Sequence, residues 1–204
     1  MGTQEGVKLL GKIKVISLLS NRALSLLSRI EKRKSKGLCN DMYPSETAKI
    51  RDKVIKYIKD TDMVLDVGCG SDLVVPHAIG IDARDLPTVK HRIDDLSLIG
   101  LAYPQYINSC DVIFSSHCLE HVPDDHGMLW SLGKLIKPGG ILAIYLPDTR
   151  YYDDAWNVEH VHSYIYEVFL RWFERSFADR FQIIEHGPDV GPDKYSFFIF
   201  AKRL

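Results

Sequence analysis

The segment VLDVGCG, residues 64–70, places an acid and two glycines in a spacing that suits cofactor binding. Asp66 lies near the end of an apolar run, and the glycine turn follows it directly. Because glycine has no Cβ and readily takes positive φ, a polar ligand can approach the main-chain amides of this turn. A second apolar run, AIGID at residues 78–82, ends in Asp82, whose carboxylate can accept hydrogen bonds from two ribose hydroxyls. These residues predict a nucleoside-containing cofactor at the carboxyl ends of parallel strands.

The same Gly-x-Gly opening is found in nicotinamide dinucleotide sites, which provide an alternative. The third glycine of that fingerprint would fall at position 73, which is Leu73. The turn therefore favours a cofactor other than a dinucleotide. A nicotinamide-dependent oxidoreductase stays as a rival hypothesis, and binding of NADH would support it.

Candidate proton acceptors follow the fourth and fifth predicted strands. For an alcohol as the reacting group, a positioned base accelerates the reaction by about 10²–10⁴-fold. Two candidates, His160 and His162, lie in the segment YYDDAWNVEHVHS, residues 151–163, where an extended chain would turn both toward one side. The aromatic and acidic residues of this segment suit a sugar ring, although a plain surface loop is the alternative. The catalytic candidates are His121, Asp148, His160 and His162.

Residues 117–121, HCLEH, also match the H-x-x-E-H pattern of certain zinc hydrolases. That pattern needs a helix, whereas here a strand ends at Ser116 and Pro123 follows closely. We therefore predict no metal among the site residues. A divalent ion held by Glu120 and His121 with a nearby acid is the alternative, and a bracing role of His121 on the next helix is another.

Apolar strands alternate with amphipathic helices along most of the chain. This order predicts an α/β protein with a Rossmann-like doubly wound sheet of seven mostly parallel strands. The last two strands are joined by a short link rich in turn formers, so they form an antiparallel hairpin. Only residues 71–77 separate the glycine turn from the second strand, which leaves room for one helical turn at most. The predicted strands are 64–67, 78–82, 89–93, 110–115, 141–146, 181–185 and 195–200, and the main helices are 43–58, 124–136 and 163–177.

Composition and charge divide the 204 residues unevenly. Residues 1–42 form a basic amphipathic segment, and residues 43–204 form one α/β domain with one core. Lysines and arginines within the basic segment exclude a membrane span, but its helix could pack on the domain, lie on a membrane surface or contact a partner. The acidic remainder has no basic groove for nucleic acid. The four cysteines show no paired metal spacing, which predicts reduced thiols and a cytoplasmic protein.

Four segments together resemble the class I S-adenosylmethionine-dependent methyltransferases, over about residues 43–204. VLDVGCG resembles the glycine motif of that family, and GID at 80–82 resembles its ribose-binding acid. CDVIFSSHCLEHV at 110–122 resembles its fourth-strand motif, and LGKLIKPGGILAIYLP at 132–147 resembles the helix and strand that follow. The combination in this order and spacing is specific, whereas each segment alone is not.

The resemblance implies S-adenosylmethionine as cofactor, S-adenosylhomocysteine as product and a role for each matching residue. The glycine turn would pass under the amino-acid tail, and Asp82 would hold the ribose. Asp94 or Asp95 would meet the adenine, with a helix-capping role for one of them as the alternative, while Ser116 and His117 would line the floor near the sulfonium. The implied cofactor-binding residues are Asp66, Gly68, Cys69, Gly70, Asp82, Ala83, Asp94, Asp95, Leu96, Ser116 and His117.

The stretch after Gly70 departs from the usual pattern, because it contains neither a further glycine nor enough residues for a full helix. In this it resembles a type 11-like sub-group that is associated with bacterial and viral glycan synthesis. The expected function is therefore O-methylation of a sugar or glycan hydroxyl. Small-molecule or quinone-type O- or C-methylation is the first alternative, and a cofactor-binding pseudoenzyme that acts as a scaffold or regulator is the second.

Overall fold

A computed structural model describes residues 44–153, 157–192 and 194–204. Within these ranges the chain forms one seven-stranded sheet in the order β3-β2-β1-β4-β5-β7-β6. Strands β1 to β5 are parallel, and β7 runs antiparallel between β5 and β6. This confirms the predicted fold class. The strands are β1 (Val64–Val67), β2 (Ile79–Asp82), β3 (Val89–Arg92), β4 (Cys110–Ser116), β5 (Ile136–Pro147), β6 (Phe181–Gly191) and β7 (Lys194–Arg203).

Helices cover both faces of the sheet. Helix α1 (Glu46–Val54) packs with Phe114 and Tyr145 on one face. The larger core lies on the other face, where strand residues such as Ile113 pack against three helices. Successive residues of a strand point to opposite faces, which is why neighbouring residues of β4 belong to different cores. The helices of the larger core are α2 (Ile99–Ala102), α3 (Asp125–Leu135) and α4 (Tyr166–Phe177).

Two helices differ from their predicted bounds. Helix α1 begins only after Ser45, whose Oγ accepts a hydrogen bond from the Ala48 amide at 3.0 Å, and a 3₁₀ turn at Ile55–Tyr57 ends it. Helix α4 begins at Tyr166 rather than at residue 163. Val168 in this helix is 54% exposed. The buried stripe of α4 consists of Phe169, Phe173 and Phe177.

Strands β5, β6 and β7 are each longer than predicted. β5 begins at Ile136, directly after α3, because Ile136 pairs with Cys110 before the ladder shifts register to Ile141. Residues 137–140, which lie between the predicted helix and the predicted strand, fall inside this irregular part, where Gly139 has φ +81°. β6 and β7 remain paired as far as Gly191 and Lys194, so most of the predicted link is strand.

Among the described residues, no helix combines the length and the apolar character that crossing a bilayer would require. Cys69, Cys110 and Cys118 are buried and form no disulfide. The predicted amphipathic helix within residues 1–42, and Cys39 with it, lie outside the residues that the structure describes.

Candidate functional site

A cavity of about 830 Å³ opens at the carboxyl ends of the parallel strands. This volume lies in the range of small-molecule sites. Its wall contains residues of the glycine turn and residues that follow or end β2, β3 and β4. Of the residues singled out from the sequence, it brings together Gly68, Asp82, Ala83, Asp94, Asp95, Leu96, His117 and His121. The other lining residues are Arg84, Ser97, Cys118, Val122, Pro123, Asp124, Asn157 and Glu159.

The main-chain amides of the glycine turn are hydrogen-bonded to β2, which corrects the expectation that they are free for a ligand. The amides of Gly68 and Cys69 donate to the Ile81 carbonyl at 2.7 and 3.3 Å, and the amide of Gly70 donates to Asp82 Oδ2 at 2.9 Å. Cys69 and Gly70 do not line the cavity, whereas Gly68 does. The turn therefore offers close approach rather than vacant donors.

Gly68 has a steric reason to be glycine. Its φ is +73°, and a Cβ there would lie 2.3 Å from Cys118 Sγ. Any side chain at residue 68 would therefore impose a strained backbone conformation and would collide with Cys118, in the turn after β4. Cys118 itself lines the cavity, and burial raises the pKa of its thiol, which makes it a neutral wall group rather than a nucleophile.

Asp66 lies behind the turn and does not line the cavity. It is 1% exposed, and its Oδ2 accepts a hydrogen bond from the Val74 amide at 2.7 Å. Burial raises the pKa of this carboxyl to about 7. Asp66 therefore braces the loop between β1 and β2 and does not face a ligand.

The loop at residues 71–77 contains no helix, in agreement with the short crossover expected from the sequence. Arg51 of α1 holds it in place. The Arg51 guanidinium lies 2.5 Å from Asp72 Oδ1, and it also donates to the carbonyls of Leu73 and Val74 at 3.0 and 3.1 Å. An arginine clamp on α1 thus replaces the helix that usually follows the glycine turn.

Asp82, at the end of β2, is 4% exposed and ionised. Burial works against its charge, but hydrogen bonds from Arg84 and from the Gly70 amide lower the pKa of the carboxyl overall. The Arg84 guanidinium covers both carboxylate oxygens at 3.1 and 3.2 Å, and its own side chain is 65% exposed. Arg84 was not predicted as a site residue from the sequence, although an arginine two residues after Asp82 indicates a possible partner for that carboxylate.

The residues after β3 form the next part of the wall. Asp95 Oδ1 accepts hydrogen bonds from the Ser97 amide and hydroxyl, so Asp95 caps the 3₁₀ turn at Leu96–Leu98. Asp94 points outward to Arg92, and its side chain is 85% exposed. Leu96 is buried and supplies apolar surface. The capping alternative is thus confirmed for Asp95.

The floor at the end of β4 is formed by His117, whereas Ser116 is buried and does not line the cavity. His117 has φ +47°, and its Nε2 lies 2.9 Å from Ser196 Oγ and 3.4 Å from Glu46 Oε2. Burial lowers the pKa of this imidazole to about 4. His117 is therefore neutral near pH 7.

Three side chains converge beside this floor, and we call Glu120, His121 and His160 the Glu120 cluster. Glu120 is fully buried, and its Oε1 lies 3.9 Å from Nε2 of each histidine. His121 Nδ1 lies 3.2 Å from the Glu159 carbonyl. Because a carbonyl only accepts, Nδ1 carries the proton and Nε2 is the unprotonated nitrogen. Burial lowers the pKa of His121, which keeps this tautomer neutral.

Main-chain hydrogen bonds bring the two parts of the Glu120 cluster together. The amides of Val161 and His162 both donate to the Glu120 carbonyl, at 2.9 and 3.1 Å. The segment that carries His160 is thereby tied to the 3₁₀ turn Leu119–His121. No local pattern in the sequence indicates this contact, which is why it was not predicted.

The remaining two catalytic candidates lie elsewhere. Asp148 is fully buried outside the cavity wall, where its oxygens accept from the Arg150 guanidinium and from the Tyr166 amide that begins α4. These hydrogen bonds outweigh burial and lower its pKa, so Asp148 is a poor base. His162 Nε2 donates to the carbonyls of Val122 and Pro123, and the two histidines of the segment therefore have different partners.

Curated proteins similar to this chain are methyltransferases by name. The probable methyltransferase ltbC of Aspergillus luteorubrus is 36% identical over 120 residues, which cover 44% of this chain and 41% of that protein. The ubiquinone biosynthesis O-methyltransferase of Proteus mirabilis is 34% identical over 94 residues, which cover 38% of each chain. The matches thus span about two fifths of the length of these relatives.

A solved structure supports the fold over nearly the whole chain. The 1,6-didemethyltoxoflavin-N1-methyltransferase of Burkholderia thailandensis, crystallised with 1,6-didemethyltoxoflavin and S-adenosylhomocysteine, aligns with a TM-score of 0.61. The alignment covers 91% of both chains at 13% identity, a level that establishes the fold alone. The model of the methyltransferase domain family matches residues 41–182, more than half of the sequence. By that match, this chain belongs to the methyltransferase domain family.

Proposed function

We propose that this chain transfers a methyl group from S-adenosylmethionine to a hydroxyl oxygen of an acceptor. One observation carries the proposal: a single cavity is lined by both Asp82 at the end of β2 and His121 after β4, and Nε2 is the unprotonated nitrogen of that histidine. The first group suits a nucleoside and the second suits a hydroxyl proton. Membership of the methyltransferase domain family adds independent support.

The described residues fit this cofactor at its nucleoside end. Asp82 is a buried, ionised acceptor for the ribose hydroxyls, provided that the exposed Arg84 side chain moves off it. Leu96 and Ala83 supply apolar surface for the adenine. Gly68 has no Cβ and so lets Cys118 pack closely against the turn, and both residues line the cavity where the cofactor would pass. The similar methyltransferase of Burkholderia thailandensis was crystallised with S-adenosylhomocysteine, which agrees with this assignment.

The Glu120 cluster suits the acceptor end of the cavity. When bound, S-adenosylmethionine supplies an electrophilic methyl group. His121 Nε2 accepts the proton of the acceptor hydroxyl as its oxygen bonds to the methyl carbon, and the carbon–sulfur bond breaks to release S-adenosylhomocysteine. The imidazolium then returns the proton to water. Glu120, fully buried beside Nε2, stabilises the transient positive charge.

A sugar or glycan is our first candidate for the acceptor. Asn157 and Glu159 line the cavity, and the next residue, His160, stacks on Tyr152 at 5.3 Å between ring centroids. Polar groups beside aromatic faces suit a sugar ring. A small phenolic acceptor is the second candidate, because one relative is named as a ubiquinone biosynthesis O-methyltransferase.

Calorimetry with S-adenosylhomocysteine tests the cofactor end. We expect binding by the unaltered chain and a loss of about 10–100-fold in affinity for Asp82→Asn, since hydrogen bonds to a charged group contribute about 1.5–3 kcal/mol. Asp85→Asn is the matched control, because Asp85 is exposed and outside the cavity wall. Equal affinities for the two variants would contradict the assignment, and binding of NADH instead would favour an oxidoreductase.

A methyl-transfer assay tests the acceptor end. Radiolabelled S-adenosylmethionine is offered with oligosaccharides and, separately, with catechol-type phenols, and the products are identified by mass spectrometry. Labelled methyl ethers on a sugar hydroxyl support the first candidate, and phenolic ethers support the second. Cofactor binding without transfer to either class would favour a scaffold or regulator. Cytoplasmic location and a membrane or partner contact through residues 1–42 stay as predictions.

A further inference from the structure

We propose that the Glu120 cluster binds a divalent transition-metal ion of the zinc type through Glu120 Oε1, His121 Nε2 and His160 Nε2. Within the described part of the chain, these three residues hold their ligand atoms within 4.8 Å of one another. Two imidazoles and one carboxylate form a ligand set that suits Zn²⁺ and its neighbours and does not suit Mg²⁺ or Ca²⁺, which prefer oxygen.

The distances are close to those of a tetrahedral site. Zinc bonds of about 2.0–2.1 Å place ligand atoms about 3.4 Å apart at tetrahedral angles. Here Glu120 Oε1 is 3.9 Å from His121 Nε2 and also 3.9 Å from His160 Nε2. Two of the three separations therefore need to shorten by about half an ångström, and the third, between the two imidazoles, lies within 4.8 Å, so side-chain rotations close the site without a change of the main chain.

Each histidine is oriented by a second contact that leaves its ligating nitrogen facing Glu120. The Nδ1 proton of His121 is donated to the Glu159 carbonyl, a partner type that metal-binding histidines commonly have. The His160 ring lies between Tyr152, on which it stacks at 5.3 Å, and the edge of His121 at 4.7 Å. The arrangement is thus organised before any ion arrives.

The main chain fixes the two ligand-bearing segments against each other. Glu120 and His121 lie on one 3₁₀ turn, and the amides of Val161 and His162 donate to the Glu120 carbonyl. These bonds place His160 opposite a carboxylate 40 positions earlier in the chain. The H-x-x-E-H reading of the sequence assigned Glu120 and His121 a nearby acid, whereas the structure provides His160.

Three protein ligands leave a fourth position open, as in catalytic zinc sites. His121 lines the cavity and Glu120 lies behind it, so the open position faces the space assigned to the acceptor. This role rests on the proposed function. With the ion bound, His121 Nε2 is a ligand and no longer the base: the ion would hold the acceptor oxygen, and water would take its proton as the oxygen bonds to the methyl carbon and the carbon–sulfur bond breaks.

Metal binding is tested on the full chain after treatment with a chelator, by calorimetry with ZnCl₂ and by the visible spectrum with CoCl₂. We expect one Zn²⁺ per chain, a rise in the unfolding temperature with Zn²⁺ and not with MgCl₂, and tetrahedral Co²⁺ bands. His160→Ala and Glu120→Gln should each weaken Zn²⁺ binding by at least about 100-fold, since even supporting residues of metal sites contribute 10–100-fold. His77→Ala, which removes an exposed histidine, is the control.

Affinity for S-adenosylhomocysteine distinguishes a failure of the proposed metal site from a failure of the proposed function. Variants that keep it are folded, and an unchanged Zn²⁺ affinity in His160→Ala would then overturn the metal site. A chain that binds Zn²⁺ through the three residues but no S-adenosylhomocysteine would instead refute the proposed function and retain the site. If Glu120→Gln fails to fold, His160→Ala and His121→Ala with the Co²⁺ spectrum decide the question.

Discussion

The two ends of the cavity are constructed in different ways. At the cofactor end, main-chain bonds between adjacent strands fix the glycine turn, as when the Gly68 amide donates to the Ile81 carbonyl at 2.7 Å. At the acceptor end, the functional groups are side chains from distant segments, and Glu120 meets His160 across 40 positions. The first end should therefore respond to changes in backbone space. The second should respond to changes in side-chain chemistry.

The largest effect is expected at the acceptor end, for His121→Gln. In the chelator-treated chain the turnover number should fall by about 10²–10⁴-fold, because a positioned base contributes that much, while affinity for S-adenosylhomocysteine stays within about threefold. Steady-state kinetics and calorimetry on the same samples check this, with His77→Gln as control. A parallel loss of cofactor affinity would erase the distinction between the two ends.

At the cofactor end, a substitution of Gly68 should instead lower the free energy of unfolding of the chain. Gly68→Ala places a Cβ 2.3 Å from Cys118 Sγ at a φ of +73°. Backbone strain of about 1–2 kcal/mol and overpacking of about 1–3 kcal/mol together predict a loss of about 2–4 kcal/mol in the free energy of unfolding. Urea denaturation measures it. Gly191→Ala, with nothing within 4 Å of the new Cβ, should stay within about 0.5 kcal/mol.

The free energy of unfolding should depend on pH through Asp66, the buried carboxyl behind the glycine turn. The pKa of Asp66 is raised from 3.8 to about 7, so its protonated form is favoured by folding. A raised pKa contributes stability that is complete below the unfolded value and is lost as pH rises through the folded value. Between these pKa values the unaltered chain should lose about 1–3 kcal/mol relative to Asp66→Asn. Urea denaturation at several pH values measures the stability of both chains, and a difference between them that does not change with pH would refute this prediction.

The smallest expected effect concerns Arg84. Its exposed guanidinium covers Asp82, so the cofactor ribose must displace it. Because exposed ion pairs contribute about 0.2–1 kcal/mol, Arg84→Ala should tighten S-adenosylhomocysteine binding by about two- to fivefold. The gain should shrink in high salt, where the pair is already screened. Weaker binding by Arg84→Ala in calorimetry would mean that the guanidinium contacts the cofactor instead.

The same contrast explains how far the sequence predicts this molecule. The succession of strands and helices along the chain, the short crossover and the position of Asp82 follow from local patterns, because parallel strands bring their carboxyl ends to one edge. The hydrogen bonds of the glycine-turn amides could not be predicted from such patterns, because they depend on the register of β1 against β2. The structural burial of Asp148 depends on Arg150 and Tyr166. Pattern alone could not reveal that His160 and His162 have separate partners.

The two main-chain bonds from Val161 and His162 to the Glu120 carbonyl have a consequence for how new activities could arise. Because both are main-chain bonds, they do not depend on the side chains of the exposed residues that precede them. Val158, which is 93% exposed, and Glu159, at the cavity wall, can therefore be substituted while these bonds hold the segment against Glu120. A small library at Glu159 would thus vary the cavity wall without rebuilding the Glu120 cluster.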